Sequence, residues 1–170
     1  MRIVAIWLLL VSVGAAAQPR DRLSSDAYAV FAGYMATTCV GDEANAWRDR
    51  LLRYKLQLVP AFRRALADGP PEEMILAIRR SSDARYQALA TLSTSELSVV
   101  GNVQRLPRMA RQSFVDDQAA RYVAGYKSNA IAALAILGDT SSRATLARLA
   151  QRRDDPLALP AAEALRALAR

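Results

Sequence analysis

The sequence predicts an all-α fold, and three observations carry that prediction. From Ala130 to Leu137 the chain holds only Ala, Ile and Leu. A helix built from that run has no polar face and, in a water-soluble protein, has to be enclosed by other helices. Upstream, Trp47, Leu51, Tyr54, Leu58, Phe62 and Leu66 recur at steps of three and four, the spacing of one helical stripe. Every other apolar pattern after residue 24 also fits steps of three and four better than the strict alternation of a half-buried strand.

The chain opens on what reads as a secretory signal peptide over residues 1–17. Arg2 supplies a positive start, Ile3 to Val13 an apolar stretch, and Ala15-Ala16-Ala17 an A-x-A cleavage site. The stretch is shorter than the roughly 20 residues a membrane-spanning helix needs. No cysteine stands at the cleavage point to take a lipid anchor. Residues 18–23 are polar, and Ser24-Ser25-Asp26 caps a first helix over about 26–40 carrying Tyr28, Val30, Phe31, Tyr34 and Met35.

Gly41 ends that helix and Asp42 caps a second, over 43–67. Arg50, Arg53, Gln57 and Arg64 lie opposite its apolar stripe, and Pro60 predicts a kink or a division there. Asp68-Gly-Pro-Pro-Glu-Glu73 punctuates the chain, with two carboxylates favouring the N-terminus of a third helix. That helix turns Met74, Ile75 and Ile78 inward, and Ser81-Ser82-Asp83 offers an interruption before Tyr86, Leu89 and Leu92. Ser93-Thr-Ser-Glu96 has capping-box spacing and starts a short fourth helix with Leu97, Val99, Val100 and Val103. Residues 105–125 are broken by Pro107 and interleave arginines with Phe114 and Tyr122. They read as a long connection between helices or as a functional surface.

From residue 126 the chain partly repeats itself. Ala130-Ile-Ala-Ala-Leu134 matches Ala161-Ala-Glu-Ala-Leu165 about 31 positions later. Gly138 stands where a left-handed cap would stop the first helix, and Asp139-Thr-Ser-Ser142 supplies the next N-cap. The helix after it carries Leu146, Leu149 and Ala150 on one stripe, and Asp154-Asp155-Pro156 ends it. Ala-Ile-Ala-Ala-Leu-Ala-Ile-Leu-Gly-Asp, a Leu-rich second helix, Asp-Asp-Pro and Ala-Ala-Glu-Ala-Leu together resemble a HEAT repeat of the short kind found in phycobilin-lyase-like proteins. The resemblance covers residues 126–169 and carries no lyase motif. It implies a right-handed stack of antiparallel helix pairs, a HEAT-like α-solenoid. In this organisation a helical region, 18–125, packs as one domain with a repeat region, 126–170. It also implies an interaction scaffold, with second helices lining the inner surface. By that resemblance Arg148, Gln151 and Arg152 are candidates for partner contact. Arg121, Tyr122 and Lys127 join them from the arginine-and-aromatic stretch.

Composition bounds the chemistry. The net charge of +7 falls to +6 without Arg2, which favours anionic partners, and export removes nucleic acid from consideration. Cys39 is the sole cysteine, so no intramolecular disulfide forms; its thiol is packed as a small hydrophobe or free to pair between chains. The chain has no histidine, no phosphate-binding loop and no dinucleotide fingerprint. Its adjacent carboxylates, such as Asp116-Asp117, sit at expected turns or helix starts and do not converge on one target. The expectation is therefore a non-enzyme without metal or cofactor, exported to the periplasm or secreted, in a bacterial source. Two functions fit it: a scaffold that binds another protein, and a peripheral binder of lipid head groups or wall polymers through arginine-rich faces.

Overall fold

A computed structural model describes residues 23–37, 43–91 and 109–170. The expected signal peptide, Cys39 and the expected short helix at 96–103 lie outside these residues. Among the described residues the chain is all-α: α1 is Ser25–Ala36, α2 Glu43–Arg53, α3 Lys55–Asp68, α4 Glu72–Ala90, α5 Arg111–Ile136, α6 Arg143–Ala150 and α7 Ala158–Leu168. No helix among them is long and apolar enough to cross a membrane.

The helix ends follow local chemistry. Ser24 caps α1, its hydroxyl accepting the Ala27 N–H at 3.3 Å. At the other end the Asn129 side-chain amide donates to the carbonyls of Met35 and Thr37, at 3.4 and 2.9 Å. Gly69, with φ of 82°, closes α3, and Glu72 and Glu73 occupy the first turn of α4. Gly138 has φ of 65°, donates to the Ala135 carbonyl at 3.0 Å, and is followed by Asp139 donating to Leu134 at 2.9 Å. That pair of bonds is a Schellman motif, the left-handed stop expected at this glycine.

The 26-residue α5 is the element against which α1, α2, α3, α4 and α7 all pack. Its direction relative to α4 follows from the contacts. Met74 meets Tyr122, Arg79 pairs with Asp116, and Asp83 pairs with Arg111, so the two helices run antiparallel. Lys127 reaches the Ala67 carbonyl and Arg63 reaches Asp139, so α3 is antiparallel to α5 as well. Helices α3 and α4 thus lie in succession along α5, joined by a bend at residues 69–71 beside Val123 and Lys127. A continuous apolar core joins Ala27 and Tyr34 of α1, Leu58 and Phe62 of α3, Ile131 and Leu134 of α5, Leu146 of α6 and Ala161 and Leu168 of α7. Phe62 is its aromatic centre, 5.0 Å from Phe31 and 5.7 Å from Tyr34 between ring centroids.

Several expectations change here. The break in the 43–67 stripe falls at Tyr54, and Pro60 lies inside α3. The carbonyl that loses its donor to Pro60 belongs to Leu56, a residue 92% exposed. Ser81-Ser82-Asp83 does not interrupt α4: the Ser81 hydroxyl donates back to the Ile78 carbonyl, and Asp83 is engaged by Arg111. Residues 111–125 are the first half of α5, so that part of 105–125 is helix and not a connection. The run 130–137 is enclosed on one side only. Ala130, Ile131, Ala133, Leu134 and Leu137 are buried, whereas Ala132 is exposed and Ala135 and Ile136 are half-buried. Asp139 makes no side-chain cap; its buried carboxylate accepts Arg63 Nε at 2.8 Å, Arg63 Nη2, and the Ser142 hydroxyl.

Candidate functional site

The bend between α3 and α4 leaves a cleft of about 1330 Å³. Helix α1 lines it with Tyr28, Phe31 and Met35, and α3 with Ala61, Arg64 and Asp68. Helix α4 adds Glu73, Met74, Ile78 and Arg85. Along α5, Gln118, Tyr122, Gly125 and Asn129 recur at steps of three and four, so one face of the central helix forms the floor. Tyr122 and Tyr126 stand 6.5 Å apart between ring centroids, and the Tyr122 hydroxyl lies 3.9 Å from the Met74 sulfur.

The lining is mostly apolar, and its charged groups are Arg64, Arg85 and Arg121 with Asp68 and Glu73. The ion pairs of the described residues use Arg63, Arg79, Arg111, Arg121 and Arg152, and leave Arg64 and Arg85 without one. Arg64 Nε is buried and has no hydrogen-bond partner among the described residues. A buried donor of that kind carries a desolvation cost. Burial pushes the Tyr122 phenol up from its ordinary value and does the same at Tyr126, where Tyr122 and Tyr28 add to it. Both rings therefore stay neutral and able to donate near pH 7.

The six residues singled out in the sequence fall in different places. Arg121 and Tyr122 line the cleft, with Arg121 also donating to Asp117 at 2.8 Å. Lys127 sits beside the bend, its ammonium 3.1 Å from the Ala67 carbonyl at the C-terminal end of α3. That bond holds the bend and matches a cation to the negative end of the helix. Arg148, Gln151 and Arg152 are exposed, on and just after α6; Arg152 lies 3.8 Å from Asp155 and Arg148 is 3.4 Å from the Thr145 hydroxyl. The structure does not bring them to the cleft.

Other cleft residues escape a reading by period alone. Arg64, expected on the solvent face of its helix, is half-buried with its guanidinium stem against the cleft. Met74 is 39% exposed and Ile78 half-buried, because α4 packs chiefly on α5 and this flank of it faces the opening; Ile75, outside the lining, is also only half-buried. The signal that pointed here was Asp68-Gly-Pro-Pro-Glu-Glu73, which forces a bend at a fixed place. Which walls that bend holds apart depends on tertiary packing. Comparison with known proteins gave no matching family model, no matching curated protein and no matching solved structure.

Proposed function

We propose that the chain is an exported, HEAT-like helical binding module that holds a partner in the cleft of α1, α3, α4 and α5 and performs no chemistry on it. The observation that carries this reading is the cleft, about 1330 Å³ and lined by Phe31, Met35, Met74, Ile78 and Tyr122. It exceeds the roughly 300–1,000 Å³ usual for small-molecule pockets. Methionines and aromatics give such a surface an adaptable apolar lining. On the first reading an apolar segment of another protein lies in this groove, as helices do in other interaction modules. On the second, the occupant is an anionic component of the envelope, a reading favoured by Arg64 and Arg85 without ion-pair partners.

A photo-crosslinking residue at Met74, in the cleft, is the direct test, with the same residue at exposed Leu159 on α7 as the comparison. Irradiation in the native envelope fraction should trap a discrete product from position 74 and none of the same mass from position 159. Equal labelling from both positions would remove the cleft from the function. A product from position 159 alone would move it to the opposite region of the chain.

A further inference from the structure

We propose that the cleft is a site for a single-chain anionic amphiphile, its head group on Arg64 and its apolar chain passing over α5 at Gly125. This inference rests on the cleft being the working surface and names what occupies it. Two independent features support it.

The first is charge. Arg64 Nε is buried without an acceptor, while the two carboxylates of the lining, Asp68 and Glu73, are exposed on either side of the bend. Water screens those two carboxylates far more than it screens a buried guanidinium nitrogen. Arg64 Nε is enclosed by the protein, but the two Nη groups of Arg64 are neither enclosed nor hydrogen-bonded among the described residues, and a carboxylate or phosphate head group would reach them through charge-assisted bonds of the planar, two-pronged kind arginine forms.

The second is shape. Gly125 lies near the middle of α5, where alanine would favour the helix, and a Cβ built on it meets nothing within 4 Å. Close packing by the protein therefore gives no reason for a glycine there. Its effect is to bare the helix backbone on the cleft floor, where an unbranched chain can lie close. Tyr122 and Tyr126 on one side and Phe31 and Met35 on the other offer that chain apolar surface.

The test is calorimetric titration of the purified, natively processed protein with laurate below its micelle concentration. Dodecyltrimethylammonium, with the same chain and the opposite charge, and acetate, a carboxylate with almost no chain, are the comparisons. One saturable laurate site, at least tenfold tighter than the ammonium compound and not displaced by acetate, is the expected result. Arg64→Met should weaken laurate at least tenfold without weakening the cationic amphiphile, and Gly125→Leu should weaken both. Circular dichroism and melting temperature check that each variant is folded. Two variants at separate positions keep the test open if one of them fails to fold. Equal affinity for the two amphiphiles, displacement by acetate, or full laurate affinity in folded Arg64→Met overturns the proposal. Crosslinking from Met74 separates the two levels. A protein trapped there without laurate binding overturns the amphiphile and leaves the cleft as the site; absence of both removes the cleft as well.

Discussion

Asp139 shows how much one side chain does at the turn that ends the central helix. Its carboxylate is 5% exposed and joins Arg63 on α3 to the Ser142 hydroxyl before α6. Arg63 holds it below the usual carboxylate range, burial works against that, and Ser142 adds to the lowering. A depressed carboxyl contributes stability that is complete above its unfolded pKa of about 3.9 and is lost as pH falls through the lower folded value. The wild-type melting temperature should therefore drop more steeply below about pH 4 than that of Asp139→Asn. At neutral pH Arg63→Ala should cost about 1–3 kcal/mol in a denaturant melt, because it leaves the buried carboxylate short of donors. Gly33 is a second single-residue constraint, of a steric kind. A Cβ there would stand 2.7 Å from Trp47 Cη2, in an indole that packs edge-on against Tyr34. Gly33→Ala should destabilise by about 1–3 kcal/mol, the usual cost of overpacking. Neither constraint is readable from the chain, since Arg63 and Asp139 are 76 positions apart.

At the scale of the element, inside and outside separate cleanly along α5 and α6. Leu134 is fully buried, so Leu134→Ala should cost about 2–5 kcal/mol. Arg148 and Arg152 are exposed, and changing both to Ala should leave stability within about 0.5 kcal/mol. Chemical denaturation of the two variants side by side checks both figures; equal losses would contradict the burial pattern. Helix periodicity made this much legible: Leu51, Leu58, Phe62 and Leu66 are buried along the stripe that the sequence marks. The glycine stops at Gly69 and Gly138 were legible too, because a left-handed cap suits few other residues. What periodicity did not show is where helices end without such a residue. Tyr54 divides a stripe that never loses its spacing. Ser81-Ser82-Asp83 continues a helix because its polar groups are engaged by Ile78 and Arg111.

For the molecule as a whole, one observation on material from an exported fraction bears on compartment: its intact mass should lack residues 1–17, and a chain still carrying them would contradict cleavage. The all-helical class of the described residues was legible in the sequence. The position of the cleft was half legible, through the proline bend, but its walls come from segments up to about a hundred residues apart. No local pattern encodes which of them approach one another.

The bend itself bears on how a ligand enters. Pro70 and Pro71 fix two successive φ angles, Gly69 is already in the conformation it needs, and Lys127 ties the last turn of α3 to α5. Swinging α4 away from α3 would also part it from α5, breaking Arg79–Asp116 and Asp83–Arg111, so the aperture is set before anything arrives. A preset aperture removes the ordering entropy that a closing site would lose on binding. Association should then follow one exponential whose rate rises linearly with ligand concentration, without the plateau that a slow rearrangement imposes. Stopped-flow mixing with laurate reads this directly. Replacing Pro70 and Pro71 with alanine should slow capture and loosen it together, by restoring a freedom that this hinge otherwise lacks.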